Sequence, residues 1–126
     1  MIIAIDFDST CVANAFPKIG PDIGAVPILK KLLSYGHKLI LFTVRCDLVL
    51  DEAINWFDAH DIELFGINKN PSNDFSSSPK PYFDLFIDDK ALGAPLIKTD
   101  ISEDPYINWA EVDKFFNRNG YYKTQE

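Results

Sequence analysis

A chain of 126 residues, 47% of them hydrophobic and 25% charged, has enough apolar material for one packed core. It is too short for two domains of ordinary size, and its composition excludes a disordered, collagen-like or disulfide-framed protein. A formal net charge of -7 argues against a broad nucleic-acid surface, where affinity comes largely from Lys and Arg displacing counterions, and favours a small ligand.

The opening residues MIIAIDFD have no basic leader and reach two acids after a short apolar run, which predicts a strand and neither a signal peptide nor a membrane span. Ile2 to Ile5 read as a strand buried on both faces of a parallel sheet. A loop containing Pro17, Gly20, Pro21 and Gly24 follows, after which Ala25, Ile28, Leu29 and Leu32 fall at helical spacing up to Gly36. A second strand is predicted over 38–42, and Leu50, Ala53, Ile54 and Phe57 mark an amphipathic helix with Asp47 as its N-cap. Ile62 to Ile67 can form a third strand, while Asn68 to Pro81, interrupted by Pro71 and Pro79, reads as a loop. Phe83 to Ile87 is the fourth predicted strand and Pro95 to Thr99 a shorter fifth. Asp104-Pro105 should start a last helix that turns Trp109, Val112 and Phe116 inward. Strands alternating with helices imply β-α-β units with right-handed crossovers. The expected fold is therefore a single domain over residues 1–126, a three-layer α/β/α sandwich with a Rossmann-like, mainly parallel five-stranded sheet.

Open α/β sheets bind ligands at the carboxyl ends of their strands, so the residues just past each apolar run carry the most information. They are Asp6, Asp8 and Thr10 after the first strand, Thr43 and Arg45 after the second, and Asp88 and Asp89 after the fourth, with Lys80 shortly before it. Adjacent acids after a buried run repel each other unless a cation lies between them, and an acidic cleft that receives a phosphate dianion needs such a cation. Hard oxygen donors suit Mg²⁺ better than zinc. Arg45 has the planar fork to hold a phosphate or a substrate carboxylate, with a surface salt bridge as the alternative. Cys11 and Cys46 form neither a C-x-x-C pair nor a disulfide framework, which fits a reducing compartment, taken as the cytoplasm. His37 and His60 fall at predicted helix ends, where a cation favours the dipole.

The segment Asp6-Phe-Asp8-Ser-Thr10 resembles the D-x-D-x-T signature of the haloacid dehalogenase (HAD) superfamily. Thr43 matches that family's second motif, Lys80 its third and Asp88-Asp89 its acidic fourth, so the resemblance spans residues 2 to about 90. It implies that Asp6 is a nucleophile and metal ligand that forms an aspartyl-phosphate, and that Asp8 acts first as general acid and then as general base. It further implies that Mg²⁺ is held by Asp6, by the main-chain carbonyl of Asp8, and by Asp88 and Asp89, with Asp89 favoured as the direct ligand and Asp88 either direct or water-mediated. The Thr43 hydroxyl, the Val44 N–H and Arg45 would bind phosphate, and Lys80 would orient Asp6 and offset its charge, with Lys69 and Lys90 as nearby competitors for that role. Thr10 belongs to the signature but is expected to bond backbone within its own loop.

Larger members of the family carry a cap domain after the first motif or between the second and third, and neither insert exists here. A capless site is open to solvent unless something closes over it, and the loop over 68–81, with Phe75 and Tyr82, is the candidate partial lid. The expected function is Mg²⁺-dependent hydrolysis of small-molecule phosphate monoesters, with no membrane or nucleic-acid partner. A catalytically weak module that binds a phospho-ligand is the alternative from another class. A polynucleotide end phosphatase fits the open site but not the charge, since no basic cluster appears outside Lys30-Lys31. A two-component receiver domain would need its acceptor Asp after the third strand, where this chain has Asn68 and Lys69.

Overall fold

The computed structural model describes residues 1–124. Its elements run β1 (Ile2–Ile5), α1 (Ala25–Ser34), β2 (Lys38–Leu41), α2 (Asp47–Ala59), β3 (Gly66–Ile67), β4 (Leu85–Ile87), β5 (Leu96–Ile97), β6 (Tyr106–Ile107) and α3 (Trp109–Arg118). Four strands form a parallel sheet in the order β3-β2-β1-β4, with Ile5 in register with both Leu41 and Ile87. The fold is the expected Rossmann-like α/β sandwich, built on four strands instead of five. The predicted fifth strand stands apart, because Leu96 and Ile97 pair antiparallel with Ile107 and Tyr106 in a separate ribbon.

β1 is central, and successive side chains of a strand point to opposite faces of the sheet. Ile3 and Ile5, with Leu39 and Leu41 of β2, face a core shared by Leu29 and Leu32 of α1, Ala53 and Phe57 of α2, and Trp109 and Phe116 of α3. All three helices thus bury their apolar stripes on one face. Ala4 and Ile40 face the other way and meet Phe83, with Ile2, Phe42 and Phe65 around them. On that second face the outer layer is the connection between β3 and β4, which is not a helix, so the second helical layer of the expected α/β/α arrangement is replaced by a loop. This follows from strand order: the chain passes from β3 at one edge to β4 beyond β1, and a right-handed crossover in that direction lies on the face opposite α1 and α2.

Local boundaries differ from expectation in three places, each for a backbone reason. Asp47 is the first residue of α2, with φ 53°, and Cys46 precedes it as the extended cap, so Asp47 is not the N-cap. Asp104-Pro105 leads into β6, and the last helix starts only after Asn108. β3 is two residues long, because the chain turns back directly after it: a Cβ on Gly66 would stand 2.6 Å from the carbonyl oxygen of Lys69. Among the described residues no helix is long and apolar enough to cross a membrane.

Candidate active site

β1 and β4 are parallel neighbours with Ile5 opposite Ile87, so the residues after them leave the sheet side by side. The Asp6 N–H donates to the Ile87 carbonyl at 3.0 Å, which extends the ladder by one bond and fixes the exit of β1. As a result, Asp6, Asp88 and Asp89 each offer a carboxylate oxygen, and these oxygens all lie within 4.8 Å of one another. Asp88 is pinned from behind, accepting the Lys90 N–H at 2.8 Å.

The turn after β1 is tight. Ser9 takes φ 62°, and the N–H groups of Thr10 and Cys11 both donate to the Phe7 carbonyl, at 3.1 and 2.8 Å. That turn buries Thr10 completely and aims its hydroxyl between two of the carboxylates. Thr10 Oγ1 lies 3.0 Å from Asp6 Oδ2 and 3.2 Å from Asp89 Oδ1, and it accepts the Asp89 N–H at 3.1 Å. Thr10 is therefore the side-chain link between the first and last motifs, and the expectation that it bonds only local backbone is corrected. Its own carbonyl accepts the indole N–H of Trp109 at 2.8 Å, so α3 holds the turn from below.

Three acids crowded together at the edge of a core carry an electrostatic cost. The Asp6 carboxyl is pushed from 3.8 up to about 8, first by burial, then by its hydrogen bond with Asp89 and by the charge of Asp88. Hydrogen bonds from the Phe7 N–H and the Thr10 hydroxyl pull the other way and lose. Without a cation the cluster holds a proton that it would give up to one. A hard divalent cation with oxygen ligands fits this donor set.

Asp8 does not share that cluster. Its two carboxylate oxygens accept Nε and Nη2 of Arg45 at 2.8 and 2.7 Å, while Arg45 Nη1 donates to the carbonyls of Pro17 and Val49 and Nη2 donates to that of Lys18. The guanidinium also lies over the rings of Phe7 and Phe16, 5.0 and 5.1 Å from their centroids. The expectation that Arg45 forks onto phosphate is corrected: its side chain is fully buried and its donors are engaged within the protein. The alternative of a surface salt bridge fails for the same reason. Arg45 ties the first motif, the loop after it and the start of α2 together.

Thr43, two residues past Leu41, stands at the same carboxyl edge. Its N–H donates to Asn68 Oδ1 at 2.8 Å and its hydroxyl oxygen accepts the Arg45 N–H at 3.1 Å, which leaves the hydroxyl proton for a ligand. Val44 beside it is exposed. Asn68 takes φ 56° to reach Thr43, a contact not anticipated from the sequence.

Lys80 is not brought to the cluster. The chain before β4 is anchored at the opposite edge of the sheet, where the Asp84 N–H donates to the Ile2 carbonyl and the Ile2 N–H to Asp84 Oδ2, at 2.8 and 2.7 Å. Tyr82 is held by Asn70 and Asn73, and Lys80 itself is exposed, its N–H on Ser78 Oγ. Among the described residues the lysine in ion-pair contact with the cluster is Lys90, Nζ 3.7 Å from Asp89 Oδ2. The lid expected from 68–81 fails similarly, because Tyr82, whose ring packs against Phe75, donates its hydroxyl to Asp84 at that far edge.

The cysteines are free. Burial, then the charges of Asp6 and Asp8, push the Cys11 thiol well above its usual range, so it stays neutral and inert. Cys46 is exposed. His37 does not act on a helix dipole: Nδ1 meets the Met1 amino group at 3.1 Å and Nε2 the Tyr121 carbonyl at 2.8 Å.

No protein-family model and no curated protein matches this sequence. Among solved structures, a conserved protein from Bacteroides thetaiotaomicron is similar, with 37% identity and a TM-score of 0.76 over 94% of this chain and 91% of that one.

Proposed function

This chain belongs to the family of that conserved Bacteroides thetaiotaomicron protein, and on this scaffold we propose a Mg²⁺-dependent phosphomonoester hydrolase of HAD type that works through an aspartyl-phosphate on Asp6. The observation that carries the reading is the convergence of the Asp6, Asp88 and Asp89 carboxylates from two neighbouring strand ends to within 4.8 Å. These residues would hold the ion, with the main-chain carbonyl of Asp8. When bound, Mg²⁺ supplies the positive charge that lets a carboxylate approach a phosphate dianion.

The chain's own residues do the rest. An Asp6 oxygen bonds to phosphorus as the ester P–O bond breaks, and the departing oxygen takes a proton from Asp8. Water, giving one of its own protons to Asp8, then attacks phosphorus as the bond to Asp6 breaks, which releases inorganic phosphate and restores the Asp6 carboxylate. The Thr43 hydroxyl and the Val44 N–H bind phosphate oxygens. Arg45 acts on the reaction only by fixing where Asp8 stands. Lys90, in contact with Asp89, takes the charge-offsetting part expected of Lys80. A small-molecule ester is the substrate class, the net charge of -7 disfavours nucleic acid, and two free cysteines fit the cytoplasm.

The second reading, a phospho-ligand-binding module with weak or no turnover, is favoured by the commitment of the Asp8 carboxylate to Arg45. A screen of phosphate esters with and without Mg²⁺, using Asp6→Asn as the blank, separates the two. Hydrolysis is expected to require the metal and to fall about 10³-fold or more in Asp6→Asn. Activity that survives the substitution unchanged, or ignores the metal, ends the hydrolase reading.

A further inference from the structure

The order β3-β2-β1-β4 leaves one side of β4 without a neighbour among the described strands, and the segment expected to extend the sheet pairs with β6 instead. Successive residues of a strand turn their backbone groups to alternate sides. Ile87 turns its carbonyl to β1, where it accepts the Asp6 N–H, so Phe86 presents its N–H and C=O to the free side. Leu85 and Ile87 face the helical layer and Phe86 packs against Phe83 on the other face, yet all three line one cavity of 390 Å³, which therefore runs along the open edge. α3 adds Val112 and the partly exposed Phe115 to its lining, and the turn after Lys90 adds Leu92, which is fully exposed. Edge strands of monomeric proteins are commonly blunted by Lys or Pro, and β4 carries neither.

The charges around this cavity identify its occupant. α3 runs from the carboxyl edge of the sheet, where the Trp109 indole donates to the Thr10 carbonyl, to the amino edge, where the Tyr121 carbonyl meets His37 and His37 meets the Met1 amino group. The cavity thus has Asp88 and Glu111 at one end and Arg118 at the other. The pair that Glu111 makes with Lys114 is exposed and weak, so it leaves the acid open to another cation. A two-fold axis through the edge reverses one copy against the other and lays each acidic end on a basic end, whereas a parallel arrangement would set like charge on like. We propose that β4 is the interface of a homodimer, in which two copies pair antiparallel, each Phe86 N–H donating to the other copy's Phe86 carbonyl, so that the two sheets become one. β4 is three residues long, so backbone bonds alone would hold little, and the covering of Leu92 and Phe115 supplies the apolar area. Glu111 of each copy faces Arg118 of the other and sets the register.

Sedimentation of the full chain should show a concentration-dependent dimer with Kd of about 10 μM or tighter. Leu92→Lys, at a fully exposed position that folding does not need, should weaken it about 10-fold or more. Glu111→Arg and Arg118→Glu should each weaken it about 10-fold, because either reversal sets like charges together at both contacts of the two-fold pair. An equimolar mixture of those two variants should regain the wild-type affinity, since a mixed dimer has opposite charges at both contacts. Hydrogen exchange at the Phe86 amide should slow as protein concentration rises. A monomer at every concentration up to about 100 μM, including one that takes up an extended peptide along this edge, overturns the proposal. So does a dimer that Leu92→Lys leaves unchanged, a mixture that binds no more tightly than the single variants, or Phe86 exchange that ignores concentration.

Discussion

Replacing Arg45 by Met removes a buried cation while keeping most of the aliphatic stem. The guanidinium is fully buried, makes two short bonds to Asp8 and donates to the carbonyls of Pro17, Lys18 and Val49. Removing one member of a buried pair costs more than the pair is worth, because the partner is left charged and the carbonyls lose their donor; about 3–5 kcal/mol is the expected loss. Asp8 is 20% exposed and recovers some hydration, which sets the expectation near the lower end, about 3 kcal/mol. For a domain of this size that lowers the melting temperature by about 12 °C, at about 4 °C per kcal/mol. Urea unfolding of the wild type, Arg45→Met, Asp8→Leu and the double variant completes the cycle, and the double variant should be more stable than the summed losses predict by about 2 kcal/mol. A loss below about 1 kcal/mol for Arg45→Met, with no coupling to Asp8, would show that the pair is solvated in solution and that Arg45 does not organise the first motif.

Thr10→Val keeps the shape and deletes the hydroxyl that touches Asp6 and Asp89, leaving the Asp89 N–H without its acceptor. A stability loss of about 2 kcal/mol and weaker Mg²⁺ binding by calorimetry are expected, and an unchanged metal affinity would count against the bridging role. Gly20→Ala should destabilise the protein by about 2 kcal/mol or more, because a Cβ there would stand 1.7 Å from the Ala13 carbonyl oxygen; proteolysis should then cut the loop carrying Phe16. The His37 pKa lies below its usual value because the ring is buried, with the Met1 ammonium adding to the effect against a bond to the Tyr121 carbonyl. A depressed histidine contributes stability that is complete above pH 6.5 and is lost as pH falls through the folded value. The melting temperature should therefore drop on acidification below that pH, and His37→Gln should flatten the drop.

What the sequence revealed, and what it hid, divides along chain distance. β1, α1 and α2 are legible because continuous apolar runs and 3.6-residue spacing are local signals; the meeting of Asp6 with Asp88 is expected only from the motif resemblance, and the pairing of β1 with β4 brings it about. The roles of Arg45, Thr10 and Lys80 were not legible, because each depends on which group lies opposite across the fold. Arg45 and Asp8 are 37 residues apart, and Thr10 and Asp89 are 79 apart. Lys80 stands directly ahead of the fourth strand in the chain, yet order does not reveal height along the sheet, and the Asp84–Ile2 bonds hold that stretch at the edge away from the carboxylates.

The unhelical crossover between β3 and β4 connects these outcomes. A helix there would begin at the carboxyl edge and return along the sheet, carrying a residue near its start toward Asp6. In this chain Gly66 lets the backbone fold back on itself immediately after β3, Asn70 and Asn73 hold Tyr82, and Phe83 fills the space above Ala4 and Ile40. The second face is thus covered with one buried phenylalanine and a tied loop instead of a helical turn, and the stretch before β4 lacks the helical support that could have aimed Lys80 at the carboxylates. Lys90, immediately after Asp89, supplies a cation from the other side of the cluster without any such support. Charge compensation at this edge is therefore local to the fourth motif, and Lys90→Ala should weaken phosphate-ester binding more than Lys80→Ala, a ranking that KM values for one ester measure directly.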